Sequence, residues 1–317
     1  MLAIYEIDRL CSVELRQLEY FIAVAGEMNF SRAAQQVHVV QSALSISVSK
    51  LEKELGVELF DRSKQQLKIT PAGELFRERA RCVIQDARLA KDSMSVYQGE
   101  LTGTVDLGSL IAFGRLDVPR VLGEFHRIYP FVRIKLRQSQ SGSSAYLSAI
   151  ADGSLDLALI SSPDRFPAGI QMQLLSEEPM VFVCRPDHRL AHRGHVAISE
   201  LVDEDLIGFP AGFGLRRLVD DAFVAAGVTA HITYEVALEY SITGRLVKHG
   251  LGTIFMPASE AARFPDLRAV DVQPAVVWTI YLASAEPTRL APASARLAEL
   301  LRASADATPA ARTERPS

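Results

Sequence analysis

The chain has 317 residues, 48% hydrophobic and 23% charged, with 34 basic against 38 acidic side chains and a formal net charge of −4, which by itself gives no hint of a polyanionic partner. That much apolar sequence can bury two or three cores, yet the longest apolar run, residues 275–285, is far short of the roughly 20 needed to span a bilayer. Cys11, Cys82 and Cys184 are odd in number and widely spaced, which argues against a disulfide framework or a metal knot, and the start of the chain carries Glu6 and Asp8 rather than a signal pattern, so a cytoplasmic location with reduced thiols is expected.

Residues 15–70 have the hydrophobic spacing and punctuation of a winged helix-turn-helix. Phe21, Ile22, Val24 and Ala25 give one helical stripe, and Ser31 is placed to cap a second helix holding Ala33, Ala34 and Val37. A third helix is expected over 41–55, where Leu44, Val48, Leu51 and Leu55 share one buried stripe and leave Gln41, Ser42, Ser45, Ile46, Ser49, Lys50 and Lys53 outward. Gly56 ends it as a left-handed cap, and short extended runs at 57–60 and 67–69 bracket a polar turn at 61–66, forming a wing.

Charge within this segment is uneven. Seven bases and seven acids lie in 14–71, but Lys50, Lys53, Arg62, Lys64 and Lys68 all fall in its second half, with the last three uninterrupted by an acid. A wing held against phosphates needs such a run; a solvated hairpin is the alternative. A recognition helix points its N-terminal side chains at base edges, so Gln41, Ser42 and Ser45 are the candidate base contacts, with Arg32, Ser49, Lys50, Lys53, Arg62, Lys64 and Lys68 as further DNA contacts. The amide of Gln41 is the strongest candidate because it can both give and take a hydrogen bond at adenine.

Thr70 and Pro71 then open a long helix to about residue 98, in which Phe76, Ala80, Val83, Ala87, Ala90, Met94 and Tyr97 alternate spacings of four and three. A helix of about 40 Å is too long to bury itself on a small winged domain, and its small residues suit close pairing, so dimerisation through it is expected. Residues 99–102 read as a hinge. Beyond them, short apolar runs at 105–108, 132–137 and 155–160 alternate with helical segments, the pattern of β-α-β units. A second series follows at 180–184, 206–209, 232–236 and 253–255, with a returning strand at 276–283.

The order Leu15-Arg16-Gln17-Leu18, Phe30-Ser31-Arg32-Ala33-Ala34, Gln41-Ser42-Ala43-Leu44-Ser45, Leu51-Glu52-Lys53-Glu54-Leu55-Gly56, Leu59-Phe60-Asp61-Arg62 and Thr70-Pro71-Ala72-Gly73 resembles the LysR-type transcriptional regulators. The segments beginning at Arg185-Pro186-Asp187-His188 and Gly250-Leu251-Gly252-Thr253 are similar to that family's effector-binding half. Val40, Ser42, Ile46 and Ser47 depart from the family pattern, which commonly has a capping hydroxyl, Pro and a larger polar residue in this stretch. The resemblance implies an N-terminal, mostly α-helical winged helix-turn-helix with a linker helix, then a C-terminal α/β, two-lobed, periplasmic-binding-protein-like effector domain. It also implies a non-enzymatic regulator without a cofactor, binding an interrupted palindromic operator as a dimer or tetramer and acting on RNA polymerase.

Expected boundaries are 14–71 for the winged domain, 72–98 for the linker helix and 103–302 for the effector domain, with lobe one at 103–163 plus 271–302 and lobe two at 164–270. Residues 303–317 are expected to be a disordered tail. Val13 stands where the family usually has its first Met, so residues 1–12 are expected to be either an upstream artefact of the start or an extension whose Ile4, Ile7 and Leu10 keep helical spacing.

In a two-lobed fold the ligand lies at strand C-termini near helix N-termini. Ser109, Ile111 and Phe113 follow the first strand, Ser139 and Ser141 the second, and Ser161 the third, with Phe209, Phe213 and Glu239 facing them from lobe two. Hydroxyls and helix ends suit a carboxylate and the aromatics a ring or short chain, so a small organic acid is the expected effector. Enzyme readings find little support: Gly212-Phe213-Gly214 lacks a third glycine, and no phosphate loop or nucleophile elbow occurs. His188, His192 and His195 have metal-like spacing, and a free binding-protein or lyase-like function for 103–302 is the runner-up.

Overall fold

A computed structural model describes residues 13–63, 66–94, 100–138, 143–163, 167–237 and 239–306, in two compact units divided between Lys91 and Asp92, with Asp152–Ser154 grouped with the first. Lys64, Ser139, Ser141 and Tyr97, along with residues 1–12 and 307–317, lie outside the described residues.

In the first unit α1 (Leu15–Glu27), α2 (Phe30–Gln36) and α3 (Gln41–Leu55) close around Phe21, Val24, Ala33, Leu44, Val48 and Leu51. The cap of α2 is Asn29 and not Ser31: its extended backbone aims Oδ1 at the amides of Ser31 and Arg32, at 2.9 and 3.0 Å. An Asx side chain one residue before the helix satisfies two orphan donors, which Ser31 inside the first turn cannot do. Gly56 does end α3 in the left-handed region, at φ 70°. The wing is a short antiparallel pair, β1 (Phe60–Asp61) with β2 (Lys68–Ile69).

α4 (Pro71–Ser93) starts as expected, with the Thr70 hydroxyl accepting from Gly73 N at 3.0 Å. Gly73 is required there, since a Cβ would stand 2.2 Å from the Leu59 carbonyl oxygen, where helix and wing strand press together. The expected heptad seam divides. Phe76 and Ala80, with Ile84, pack on the core of the winged unit, whereas Val83 (50%) and Met94 (54%) are exposed.

The second unit is built on an eight-stranded sheet. Its first part contains β3 (Gly103–Ser109), α5 (Val118–Ile128), β4 (Val132–Gln138), α6 (Ser143–Ala151) and β5 (Leu157–Ser161). β3 lies between β4 and β5 and is parallel to both, so the chain winds first to one side of β3 and then to the other. β6 (Ile170–Cys184) follows as one long strand. Next come β7 (His195–Ala197), β8 (Leu206–Gly208), α7 (Gly214–Ala225), β9 (Ile232–Glu235), α8 (Tyr240–Lys248), β10 (Ile254–Pro257), α9 (Ala258–Ala261), β11 (Arg268–Gln273), β12 (Val277–Ala285) and α10 (Pro292–Asp306).

Three boundaries differ from expectation. β6 pairs with β12 from Ile170 to Pro179 and with β10 and β11 from Met180 on, so the change of lobe falls inside a continuous strand and not at residue 164. β11 pairs with β6 and β7 as far as Gln273, so residues 271–273 belong with lobe two. α10 runs to Asp306, past the expected end at 302, because Ala305, one turn beyond Leu301, also packs against the main core and holds the last turn.

Candidate nucleic-acid interface and effector cleft

On α3 the buried stripe of Leu44, Val48 and Leu51 fixes which residues face out. Gln41, Ser42, Ser49, Lys50 and Lys53 are exposed and Ser45 is half-buried. Lys50 has carboxylates on Glu14 and Glu54 at 3.8 Å, a distance of loose pairing that leaves its ammonium available. Lys68 on the wing is exposed.

Two of the candidate cations are already engaged. Arg32 donates from Nε to Glu27 Oε2 at 2.9 Å and from Nη2 to the Glu27 carbonyl at 2.6 Å, tying α2 to the end of α1. Arg62 donates to Glu52 Oε2 at 2.7 Å and to Ser49 Oγ at 3.1 Å, with its guanidinium 5.1 Å above the Phe30 ring. Glu52 is the side chain that sequence reasoning missed. Its Oε1 accepts from the amides of Leu59 and Phe60 at 2.9 and 3.1 Å while Oε2 holds Arg62, so one carboxylate locks the wing to α3. Its partners are seven to ten residues away, beyond any local motif.

In the second unit the carboxyl ends of three parallel strands deliver Ser109, Gln138 and Ser161 to one place, the switch point of the winding, where α/β sheets leave a crevice. A cleft of about 440 Å³, including its open mouth, lies there. Of the expected effector residues it brings together Ser109, Ile111, Ser161 and Phe213. It adds Gln138, Tyr146 and Trp278, which the sequence did not single out. The Tyr146 hydroxyl sits 2.7 and 2.8 Å from the Ser109 and Arg137 carbonyl oxygens and fixes the ends of β3 and β4, while Trp278 Nε1 donates to Ser161 Oγ at 2.6 Å.

From lobe two the amino end of α7 enters the cleft through Gly214 and Leu215. Its cap, Phe213, supplies no side-chain hydrogen bond to the first-turn amides. A Cβ on Gly214 would stand 2.2 Å from the Ser161 carbonyl oxygen, so only glycine lets the helix end come this close.

The remaining expected residues are elsewhere. Phe209 stacks on Phe213, with ring centroids 5.9 Å apart, but lines a neighbouring apolar cavity with Ile207, Val219 and Ile254. Phe113 and Glu239 line an adjoining polar chamber with Arg115, Tyr240, Glu260 and Arg263, which shares Ile111 and Ala112 with the cleft. The chain folds this way because the 110–117 loop turns away at Gly114 (φ +57°), packed against the buried Glu178 and Trp278. Glu178, on the lobe-one part of β6, accepts from the Ser259 amide in lobe two at 2.9 Å, tethering the lobes.

The histidine spacing also has a structural explanation. His188 Nε2 lies 2.9 Å from Glu204 Oε2, its Nδ1 accepts from Leu190 N at 3.3 Å, and Arg189 holds the other Glu204 oxygen at 2.6 Å. Among the described residues no group of three metal-ligating side chains occurs, and no helix is long and apolar enough to cross a membrane.

Residues 15–74 match the model of the bacterial regulatory helix-turn-helix proteins of the lysR family, and residues 98–306 match the LysR substrate binding domain. The chain belongs to the LysR family. A hydrogen peroxide-inducible genes activator from Pectobacterium carotovorum subsp. carotovorum is 32% identical over 79% of this chain and 82% of its own. A full-length OxyR variant from Pseudomonas aeruginosa superposes with a TM-score of 0.72 at 25% identity, covering 96% of this chain and all of that one. Full-length CbnR in complex with its target DNA gives 0.62 at 25% identity, over 92% of this chain and 100% of that one. The protein is therefore a LysR-type DNA-binding transcriptional regulator, without enzymatic activity, that carries an effector-binding domain.

Proposed function

We propose that this regulator senses a small organic acid, a monocarboxylate with an apolar body, in the cleft between Ser109, Ser161 and the amino end of α7. The observation that carries this reading is that helix end: its amides lack a side-chain cap and open onto a cleft whose polar lining, Ser109, Gln138, Tyr146 and Ser161, is neutral. A helix amino terminus carries about half a positive charge, which offsets one carboxylate, while Ile111, Ala112, Leu215 and Trp278 offer an apolar wall.

Relatives named for induction by hydrogen peroxide raise a second reading, but the chemistry of this chain favours the first. Peroxide reacts with thiolates, and between residues 103 and 302 the one cysteine is Cys184. It is fully buried, and burial, then the neighbouring Glu204, pushes its thiol up to about 11.

On the DNA side, Gln41, Ser42 and Ser45 would meet base edges, with Lys50, Lys53 and Lys68 on phosphates. Arg32 and Arg62 act first as struts that set the angle of α2 and the wing. Exposed Val83 on α4 and Met94 just past its end suit pairing with a second copy, so that two helices reach the halves of an interrupted palindrome, singly or as paired dimers. RNA polymerase at the adjoining promoter completes the set of partners.

Trp278, the single tryptophan of the chain, lines the cleft and makes the test direct. Titrating the intact protein with a panel of small carboxylates and their uncharged amides should shift Trp278 emission for one or more acids, with the amides at least tenfold weaker. Equal response to acid and amide, or a response to peroxide alone, would refute the carboxylate reading.

A further inference from the structure

The outward face of α3 carries one large side chain that hydrogen-bonding readout leaves unused. Ile46 is 70% exposed, on the side opposite the buried stripe of Leu44, Val48 and Leu51. On a helix its surface neighbours stand three and four residues away, and here they are Ser42, Ala43, Ser49 and Lys50, with Lys53 one turn further. Ile46 is absent from the core of the winged unit, both its buried and its half-buried members. A β-branched residue there lowers helix propensity relative to Lys or Gln and leaves apolar surface in water, so neither local structure nor packing accounts for it.

Resting on the reading of α3 as the groove-entering helix, we propose that Ile46 reads the C5-methyl group of a thymine in the major groove of each half-site. Thymine is the base that shows a methyl there, and an aliphatic side chain packs against that methyl where cytosine offers none. The short Ser42 and Ser49 flanking Ile46 allow the helix axis to come close to the bases. Lys50 and Lys53 beside it supply the cations that hold a helix against the flanking phosphates. Specificity at this position is therefore apolar, and its hydrogen-bonded counterpart is Gln41 at the start of the helix.

Selection of duplexes from a random pool with the full chain supplies the half-site. Each thymine in it is then replaced by deoxyuridine, a change that removes the methyl and keeps every hydrogen-bonding group. One position per half-site should lose about three- to tenfold in affinity, the scale of one buried methyl. Ile46→Ser should bind thymine and uracil duplexes equally at that position, and Ile46→Leu should keep the preference; both, being surface changes, should melt with the parent. A uracil penalty unchanged in Ile46→Ser, or uracil without penalty anywhere, would overturn the assignment while leaving α3 as the reader. Failure to enrich any sequence would overturn α3 as the reader and the proposal with it.

Discussion

Glu52 and Arg62 show how much of a DNA-reading surface is internal scaffolding. A carboxylate that accepts two amide protons and one guanidinium proton serves three donors, of which the truncated chain must leave the buried Leu59 and Phe60 amides without that acceptor. Glu52→Ala should therefore destabilise the winged unit by about 1–3 kcal/mol, with Glu52→Gln milder because Oε1 still accepts, as chemical denaturation of the intact protein will show. Arg62→Ala should lower operator affinity mainly by loosening the wing, and so leave the slope of affinity against salt nearly unchanged. A slope lower by about one unit would instead assign Arg62 to a phosphate. Thr70, Pro71 and Gly56 were legible in the sequence because a helix end is decided by residues within one turn of it. The Glu52 clamp was not, since its partners lie seven to ten residues away on the wing, beyond the reach of any pattern along the helix. Cys184 adds a pH dependence of known sign. Its thiol keeps its proton to about 11 in the fold against 9.0 in the free chain. The unfolded chain then loses its proton first, so this contribution to stability is complete below pH 9 and declines as pH rises toward 11. Native Cys184 should resist alkylation at pH 9 and react on unfolding, as mass spectrometry of the labelled peptide would reveal.

Among the elements, α3 and the parallel strands were visible in the sequence because each has a strong period, while β7 and β11 were not. The first of these is three residues long, and the second, Arg268–Gln273, alternates buried Val270 and Val272 with polar neighbours too briefly to stand out. The length of β6 was underestimated for another reason. Its first part faces solvent on one side and reads as mixed sequence, and only pairing with β12 makes it a strand. α4 carried a true signal with two meanings, because a period of three and four marks any one-sided helix. Its first half covers the winged core, and exposed Val83, with Met94 just past its end, remains for a partner. Replacing both with Glu should place like charges across the pairing face, yielding a monomer by light scattering and operator binding weakened at least a hundredfold. A dimer of full affinity would move the interface off α4.

At the scale of the whole molecule, regulation requires that an effector in the cleft favour one arrangement of the lobes, since a ligand indifferent to two states shifts neither. The two lobes share β6 as a continuous strand and are tied by Glu178 to the Ser259 amide, so closure on a ligand bends a connection that is already ordered. The general location of the cleft was legible, because strand ends in an α/β sheet converge at a switch point whatever their sequence. Its membership was legible only in part: Trp278 arrives from the last strand of the chain, and Phe113 and Glu239 are carried into another chamber by a loop whose turn at Gly114 depends on Glu178 and Trp278. The most direct measurement is the dissociation constant of the intact protein for its selected operator, with and without a saturating amount of the carboxylate that shifts Trp278 emission. The account predicts a change of about 5- to 150-fold, with the reciprocal change in carboxylate affinity when operator is present. Identical operator affinity in both conditions, with the acid demonstrably bound in the cleft, would contradict it.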